Sequence, residues 1–410
     1  MSKNYVNYEQ AMQYALSNAD TIMLKEIISI EDGLGRVLSQ PVTCQKNLPS
    51  FNNSAMDGFA VKAEDAGKTL KVKEVVYAGD VKQASLDDGE CYKIMTGAQV
   101  PSDADTIVPI EQIIIYENNE VTLPDTLNKG YALRLKGEEA KEGEILFEAN
   151  KEITAGMIAV LASQGIVNIE VYKKLSIAVV STGSELKEPW EKASEDEIFN
   201  CNSYGVIAVL KSKGFEASYI KVIPDNLEDT IEFVDALKSY DIIITSGGIS
   251  MGDADFVGQA FEANGLKSLF DGVNIKPGKP LMMGKMNKTF VICLPGNPLT
   301  AIGNLYVFAL PVLRKIQGFS AFNQNVEIAV NQGDFKTRSG RVNLVLGKLE
   351  AGKFYATRAN KYGAGMITVI EKSNAILLTH PDTNGCLIND HVKVISFDGN
   401  YLSCEIDILN

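Results

Sequence analysis

Acidic residues follow three of the apolar runs that predict strands in the middle of this chain. Glu185 comes after "SIAVV" in "STGSEL", Asp225 after "YIKVI" in "PDN", and Asp255 after "DIIIT" in "SGGISMGDAD". A single acid in such a place is usually a helix N-cap. Three acids beyond neighbouring strand ends instead favour one rim of a sheet. Carboxylates gathered there suit a hard divalent cation such as Mg²⁺.

Glycine turns lie beside these acids and predict an anion site. In "SGGISMGDAD" a buried strand turns at Gly247-Gly248 and a helix is expected to follow. Such a turn presents backbone N–H groups and the positive end of a helix to a phosphate. Carboxylates alone would repel that phosphate, whereas a bridging Mg²⁺ would hold both groups. We therefore expect a nucleotide or pyrophosphate ligand, with the metal as Lewis acid and template.

Two lysines in "IKPGKP", Lys276 and Lys279, are candidates for binding an anion. The stretch is not a Walker A loop, because five residues separate Gly272 from Gly278 and Pro280 replaces the Ser or Thr that would hold the metal. An ordinary turn with two solvated lysines is the alternative interpretation.

The elements that must position these residues alternate between strand and helix. From about residue 174 to 320 this alternation predicts a doubly wound parallel sheet with ligands beyond the strand ends. Short strands and turns over 46–145 predict a β-rich inserted module, and 321–410 reads as a small C-terminal β-barrel. Residues 1–45 with 146–173 form a linking helical and β segment. The predicted fold class is therefore α/β multidomain.

Composition excludes several classes of function. The 410 residues carry a formal charge of −13, which argues against nucleic acid as a partner. We expect no signal peptide and no membrane span, hence a cytoplasmic protein. The six dispersed cysteines predict reduced thiols. Both histidines lie near the C-terminus, away from the glycine turns, which nearly excludes histidine-based zinc or triad chemistry there.

Seven stretches, in order, resemble one known family. They are "GLGRVL", "PSFNNSAMDGFAV", "TGAQVPSDADTIVPIE", "STGSEL", "SGGISMGDADF", "IKPGKP" and "LPGNP". The family is the molybdopterin molybdenumtransferases, molybdenum insertases related to the E domain of gephyrin. The resemblance implies a molybdopterin-binding fold, a homodimer, and Mg²⁺-dependent insertion of molybdate into adenylylated molybdopterin with release of AMP. It also implies an adenylyltransferase partner and acceptor molybdoenzymes.

The resemblance also assigns roles to residues of this chain. The implied catalytic residues are Asp57, Thr96, Glu139, Glu185, Asp225 and Asp255, of which Glu185, Asp225 and Asp255 would hold the metal. The implied substrate-binding residues are Thr182, Gly183, Ser184, Ser246, Gly247, Gly248, Ser250, Lys276, Lys279, Pro295, Gly296, Asn297, Pro298 and Arg341.

Three departures and two alternatives accompany the resemblance. Glu139 stands in "GEE" where the family has "GED", and Gly272 and Leu346 stand where relatives place basic residues. We expect the two missing charges to raise the molybdate requirement. The alternatives are molybdopterin adenylylation, whose enzymes carry "GGTG" where this chain has "GGIS", and a non-catalytic scaffold of the gephyrin kind.

Overall fold

The computed structural model describes residues 5–80, 85–183, 185–223, 226–247 and 256–409. Five predicted site residues lie outside these ranges: Ser184, Asp225, Gly248, Ser250 and Asp255. The chain forms two compact units. The α/β–barrel unit comprises Met1–Ser39, Asn150–Thr154 and Asn168–Asn410, and the β-rich unit comprises Gln40–Ala149 and Ala155–Val167. The four-part domain division expected from the sequence stays a prediction.

A six-stranded sheet forms the centre of the α/β–barrel unit. Its spatial order is Ala217–Val222, Ile177–Ser181, Ile242–Ser246, Thr289–Leu294, Met282–Met286 and Leu266–Asp271. The first four strands are parallel, as predicted. The last two are antiparallel to their neighbours. A tight turn at Asn287 and Lys288 joins Met282–Met286 to Thr289–Leu294 in a hairpin. The sheet is therefore mixed rather than wholly parallel.

Helices cover both faces of this sheet, which confirms the doubly wound architecture. Alternate residues of Ile177–Ser181 contribute to two different cores. On one face Val206 and Leu210 of the helix Asn202–Ser212 pack in the first core. On the other face lie Leu227–Leu237 and Phe256–Ala263. The unit also contains the helices Tyr8–Ser17 and Thr368–Glu371.

The most apolar helical segment runs through the core of this unit. It comprises Pro298–Asn304, a π-helical turn at Leu305–Ala309, and Leu310–Gln317. By length and composition alone, Pro298–Gln317 could cross a membrane, but 94% of its most apolar window is buried inside the protein. Burial of this kind is typical of the central helix of a folded domain.

The predicted C-terminal barrel is confirmed. Val342–Glu350, Lys353–Ala356, Glu327–Asn331, His391–Ser396 and Ala375–Thr379 pair in that order, and the last strand closes on the first. The interior includes Val345, Phe354 and Leu377. Leu344 and Leu346 point the other way, into the core around the long helix. The strand Val342–Glu350 is therefore buried on both sides over most of its length.

Short strand pairs complete the α/β–barrel unit. They are Lys25–Ser29 with Asn168–Tyr172, Leu186–Lys187 with Ile198–Phe199, Asn323–Gln324 with Tyr401–Leu402, and Phe335–Lys336 with Gly385–Cys386. A turn at Thr357–Asn360 contains left-handed backbone at Arg358, Ala359 and Asn360, with φ of 49°, 49° and 59°. Such backbone is uncommon outside glycine.

The β-rich unit has its own six-stranded sheet and its own core. The order is Thr106–Pro109, Gly58–Val61, Glu90–Ile94, Thr69–Val76, Glu120–Thr122 and Ile115–Glu117. Phe59 and Ile107, which lie in neighbouring strands, are fully buried. The pairs Val42–Thr43 with Ile145–Phe147 and Asn53–Ser54 with Leu133–Arg134, and the helix Ala155–Ser163, complete the unit.

Candidate functional site

The turns that follow three parallel strands line one cavity of about 630 Å³, the strand-end cavity. These turns begin at Thr182, Gly247 and Pro295, each directly after its strand, and Gly296 is the first residue of the third turn that lines the cavity. The walls are formed by Thr182, Glu185, Leu186, Ile198, Phe199, Asn200, Cys201, Asn202, Ser246, Gly247, Gly296, Asn297, Pro298 and Gly365. The structure thus brings together seven of the predicted site residues: Thr182, Glu185, Ser246, Gly247, Gly296, Asn297 and Pro298.

Close backbone packing fixes the three turns. The amide of Thr182 donates to the carbonyl of Ser246 at 3.0 Å, and the amide of Gly247 donates to the carbonyl of Leu294 at 3.3 Å. Gly247 has φ of +117°, and a Cβ there would overlap Thr182. Only glycine meets both requirements, so the turn after Ile242–Ser246 depends on this residue.

Glu185 lies on the wall of this cavity, beside the predicted glycine turn at Gly183. The Glu185 carbonyl accepts from the Ile198 amide at 3.0 Å. The exposed Glu185 carboxylate has no hydrogen-bond or ion-pair partner among the described residues, so its oxygens are free to bind a cation. No group of three acidic, histidine or cysteine residues suited to a metal occurs within the described ranges. Asp225 and Asp255, the other predicted ligands, lie outside them.

Two asparagines of the wall were not predicted from the sequence. Asn202, at the start of its helix, donates from Nδ2 to the Gly296 carbonyl at 2.6 Å and so anchors the Pro-Gly-Asn-Pro turn. Asn200 donates to the Tyr219 hydroxyl at 3.0 Å. The stretch "FNCNSY" gave the only signal, and asparagine before a helix is ordinarily a cap.

The ribbon Leu186–Lys187 with Ile198–Phe199 is held to the sheet through Glu188. Its carboxylate accepts from the Tyr204 hydroxyl at 2.8 Å and also from the Tyr219 hydroxyl. Burial, and then the hydrogen bond to Glu188, raise the pKa of Tyr204. The loop between the two strands carries Trp190, which is 74% exposed.

A second cavity of about 220 Å³, the lysine cavity, adjoins the first and shares Gly296 and Asn297 with it. Among the residues that the structure describes, its lining includes Lys276, Lys279 and Arg341 but no acidic residue. The Nε of Arg341 is buried and has no hydrogen-bond partner within the described structure. Three cations without a carboxylate, in a chain of charge −13, suit a small anion.

Long-range pairing brings the three cations together. The short strand Ile275–Lys276 runs parallel to the start of Val342–Glu350, which places Lys276 opposite Asn343, close to Arg341 in the chain. Asn304 of the long helix donates from Nδ2 to the Gly278 carbonyl at 3.0 Å. This bond fixes the turn between Lys276 and Lys279, the lysine turn. The lining of the cavity also includes Asn274, Thr300 and Ala364, none of which was predicted.

Gly272 and Leu346 stand where relatives place basic residues, and neither position lines the lysine cavity. Leu346 is 1% exposed in the core beside the long helix. Gly272 is buried and has φ of +99°, and a Cβ there would overlap the ring of Tyr5. A basic side chain at either position would have to displace neighbouring groups. The positive charge among the described lining residues therefore comes from Lys276, Lys279 and Arg341.

The predicted residues of the β-rich unit form two bonded groups. Asp57 Oδ1 accepts from the Thr96 amide and the Thr96 hydroxyl, both at 2.7 Å. These hydrogen bonds, the amide first, lower the pKa of Asp57. Glu139 pairs with Arg134, which also binds Glu138 at 2.9 Å. Arg134 is a further residue that the sequence analysis missed.

A larger cavity, of about 660 Å³, lies elsewhere in the α/β–barrel unit, but most of its charges already have partners. Arg314 binds Glu152 at 2.9 Å and lies over the rings of Phe319 and Tyr401. Lys174 binds Glu216 at 2.5 Å. These pairs stabilise the unit, and the cavity lies apart from the strand-end turns.

The fold and the two adjoining cavities define an α/β protein with candidate ligand sites beyond the carboxyl ends of parallel strands. Models of the MoeA N-terminal region (domain I and II), a probable molybdopterin binding domain and the MoeA C-terminal region (domain IV) match residues 6–165, 178–315 and 329–397. A molybdopterin molybdenumtransferase of Staphylococcus epidermidis is 31% identical over 395 residues, which cover 92% of this chain and 93% of that protein. The chain therefore belongs to the molybdopterin molybdenumtransferase (MoeA) family, which confirms the resemblance.

Further comparisons agree in sequence and in structure. A molybdopterin molybdenumtransferase of Haemophilus influenzae is 29% identical over 386 residues, which cover 91% of this chain and 94% of that protein. The crystal structure of the molybdopterin biosynthesis moeA protein from Pyrococcus horikoshii OT3 has a TM-score of 0.83 at 25% identity, covering 96% of this chain and 100% of that one.

Proposed function

We propose that this protein inserts molybdenum into molybdopterin during molybdenum cofactor biosynthesis, with molybdate and adenylylated molybdopterin as substrates and AMP as a product. The observation that carries the proposal is the lysine cavity, which Lys276, Lys279 and Arg341 line without an acidic residue among the described lining residues. A tetrahedral dianion such as molybdate matches this charge and its donors. The adjoining strand-end cavity is then the place for the pterin phosphates.

The strand-end cavity supplies groups for a phosphoanhydride. The turns at Thr182, Gly247 and Gly296 would orient the substrate at the sheet edge. The resemblance also assigns Gly183, Ser184, Gly248 and Ser250 to substrate binding in these turns. The Pro295–Pro298 turn, anchored by Asn202, separates the two cavities and would hold the dithiolene near the oxyanion.

Magnesium is part of the proposal. Glu185 offers unpaired carboxylate oxygens at the cavity wall, and the donor chemistry suits Mg²⁺; Asp225 and Asp255 would complete the set. When bound, the ion would neutralise phosphate charge and polarise the phosphoanhydride. Glu185 itself would keep the cation at the strand ends.

The proposal extends to the β-rich unit and to assembly. Asp57, held ionised by Thr96, and Glu139, paired with Arg134, are proposed as further catalytic residues. We propose a cytoplasmic homodimer that exchanges substrate and product with an adenylyltransferase and with acceptor molybdoenzymes.

Incubation with adenylylated molybdopterin, Mg²⁺ and molybdate tests this function. We expect release of AMP and formation of molybdenum-loaded cofactor. Lys276→Ala should weaken molybdate binding, so that turnover requires a higher molybdate concentration. Lys288→Ala removes an exposed lysine from a turn outside both cavities and should leave turnover unchanged. Failure of the wild-type protein to release AMP or to load molybdenum would contradict the proposal.

A further inference from the structure

The first described residues of the chain pair with the segment that leads into the lysine turn. The Val6 amide donates to the Gly272 carbonyl at 3.3 Å, and the Asn274 amide donates to the Val6 carbonyl at 2.8 Å. Val6 and Val273 form a parallel bridge, and Val6 packs against the main core. The position of Tyr5 is therefore set by backbone pairing and by packing of its neighbour Val6 against the core.

Tyr5 contacts one of the three cations of the lysine cavity. The Nζ of Lys279 lies 3.7 Å from the centroid of the Tyr5 ring, well within the range of a cation–π interaction. Lys279 also lines the cavity. An ammonium group carries three N–H donors, so contact with a ring face leaves donors for an anion.

Gly272 makes room for this ring. With φ of +99° and no Cβ, it lets the Tyr5 ring lie where any side chain would collide with it. The same glycine accepts the hydrogen bond from Val6. The pairing of Val6 with Gly272 thus places the Tyr5 ring against the Lys279 ammonium.

We propose that Tyr5 is a positioning residue for oxyanion binding: it holds the Lys279 ammonium at the lysine cavity before the anion arrives. A free lysine side chain loses much rotamer freedom when it binds a ligand, and restricting it beforehand reduces that cost. The inference rests on the proposed function for the nature of the anion. The role of Tyr5 itself rests on the contacts of its ring with Lys279 and Gly272.

Molybdate titrations of the full-length protein by calorimetry test the proposal. Tyr5→Leu should weaken molybdate binding by about 2- to 5-fold, the range that corresponds to an exposed cation–π contact. Tyr5→Phe, which keeps the ring face, should bind as the wild type does. Tyr14→Leu, at a 41% exposed tyrosine of the first helix, is the matched control and should also leave binding unchanged.

A double-mutant cycle separates positioning from a general structural effect. In a Lys279→Ala background, Tyr5→Leu should have no further effect on molybdate binding, because the group it positions is gone. Equal weakening in both backgrounds, tighter binding by Tyr5→Leu, or weakening by Tyr5→Phe equal to that by Tyr5→Leu would each overturn the role of Tyr5 alone. Absence of molybdate binding by the wild type would overturn the anion site as well.

Discussion

Arg341 has a hydrogen-bond donor that the described structure leaves unused. Its buried Nε faces no acceptor, and an unmade hydrogen bond from a buried charged group is costly. The Arg341 side chain lines the lysine cavity, so under the proposed function its guanidinium would form charge-assisted hydrogen bonds with an oxyanion there.

Arg341→Ala should weaken molybdate binding about tenfold or more, because a hydrogen bond to a charged group contributes about 1.5–3 kcal/mol and 1.4 kcal/mol corresponds to a factor of ten. Isothermal titration with molybdate measures the change. Arg338→Ala is the control, since Arg338 is exposed and does not line the cavity. Equal losses in the two variants would contradict a specific role for Arg341.

Asp57 gives a prediction about pH in the β-rich unit. Thr96→Val removes the hydroxyl bond but keeps the amide bond, so the pKa of Asp57 should rise toward its ordinary value. Because the folded pKa lies below the unfolded one, Asp57 stabilises the fold above the unfolded pKa of about 3.9, and this contribution is lost as pH falls through the folded pKa.

Carboxyl-carbon NMR titration follows Asp57 directly. The control is Thr122→Val, which breaks the hydroxyl pair Thr69–Thr122 at 3.0 Å elsewhere in the β-rich unit and should leave the titration of Asp57 unchanged. An unchanged Asp57 curve in Thr96→Val would show that the hydroxyl bond does not contribute.

Single residues differed in how well the sequence predicted them. Glu185 follows a strongly apolar run, so its place at a strand end could be predicted from local pattern. Asn202 could not, because an asparagine at a helix start has the same appearance whether it caps the helix or binds the Gly296 carbonyl. Arg341 was assigned through resemblance, since no nearby pattern indicates that it meets Lys276.

At the scale of elements, the left-handed turn at Arg358–Asn360 leads into the segment that reaches both cavities. Ala364 lines the lysine cavity and Gly365 the strand-end cavity. Between them and the turn, the Tyr362 hydroxyl accepts from the Leu346 amide at 2.7 Å. The segment that contains Ala364 and Gly365 is thus connected to the barrel through a turn with unfavourable backbone conformation.

Ala359→Gly should stabilise the protein by about 1 kcal/mol or less, because glycine removes the steric cost of left-handed backbone but adds freedom to the unfolded chain. Chemical denaturation measures the change. Ala356→Gly is the matched control: its φ is −61°, so glycine there should only destabilise. Destabilisation by Ala359→Gly would show that the methyl group contributes more than the strain costs.

Elements built from local pattern were predicted, and those that depend on distant partners were not. The strands Ile177–Ser181 and Ile242–Ser246 are continuous apolar runs. Met282–Met286 contains Gly284 and Lys285, which obscure its strand pattern, so the antiparallel hairpin was missed. The pairing of Ile275–Lys276 with Val342 crosses more than sixty residues of chain, and no short-range signal encodes it.

At the scale of the whole molecule, each compact unit has its own hydrophobic core. Phe59 belongs to the core of the β-rich unit, and Phe261 belongs to a core of the α/β–barrel unit. Separate cores of this kind support separate unfolding transitions. The order of the family motifs predicted the kinds of domain present, whereas these cores became visible only through side-chain packing.

Phe59→Ala should destabilise the β-rich unit by about 3–5 kcal/mol, the usual cost of removing a buried phenylalanine. Differential scanning calorimetry should show one transition moved to lower temperature and another retained. Phe261→Ala should move the other transition instead. A single transition that shifts equally in both variants would show that the two units unfold together.

The ribbon beside the strand-end cavity carries the one tryptophan of the chain, Trp190. Tryptophan emission responds to the polarity of its surroundings, so the protein contains a built-in optical reporter for this ribbon. Excitation of Trp190 follows the local environment without a label, while the 15 tyrosines are spread through both units. Steady-state and stopped-flow fluorescence of the unmodified chain can therefore follow changes in the ribbon whose strands line the cavity.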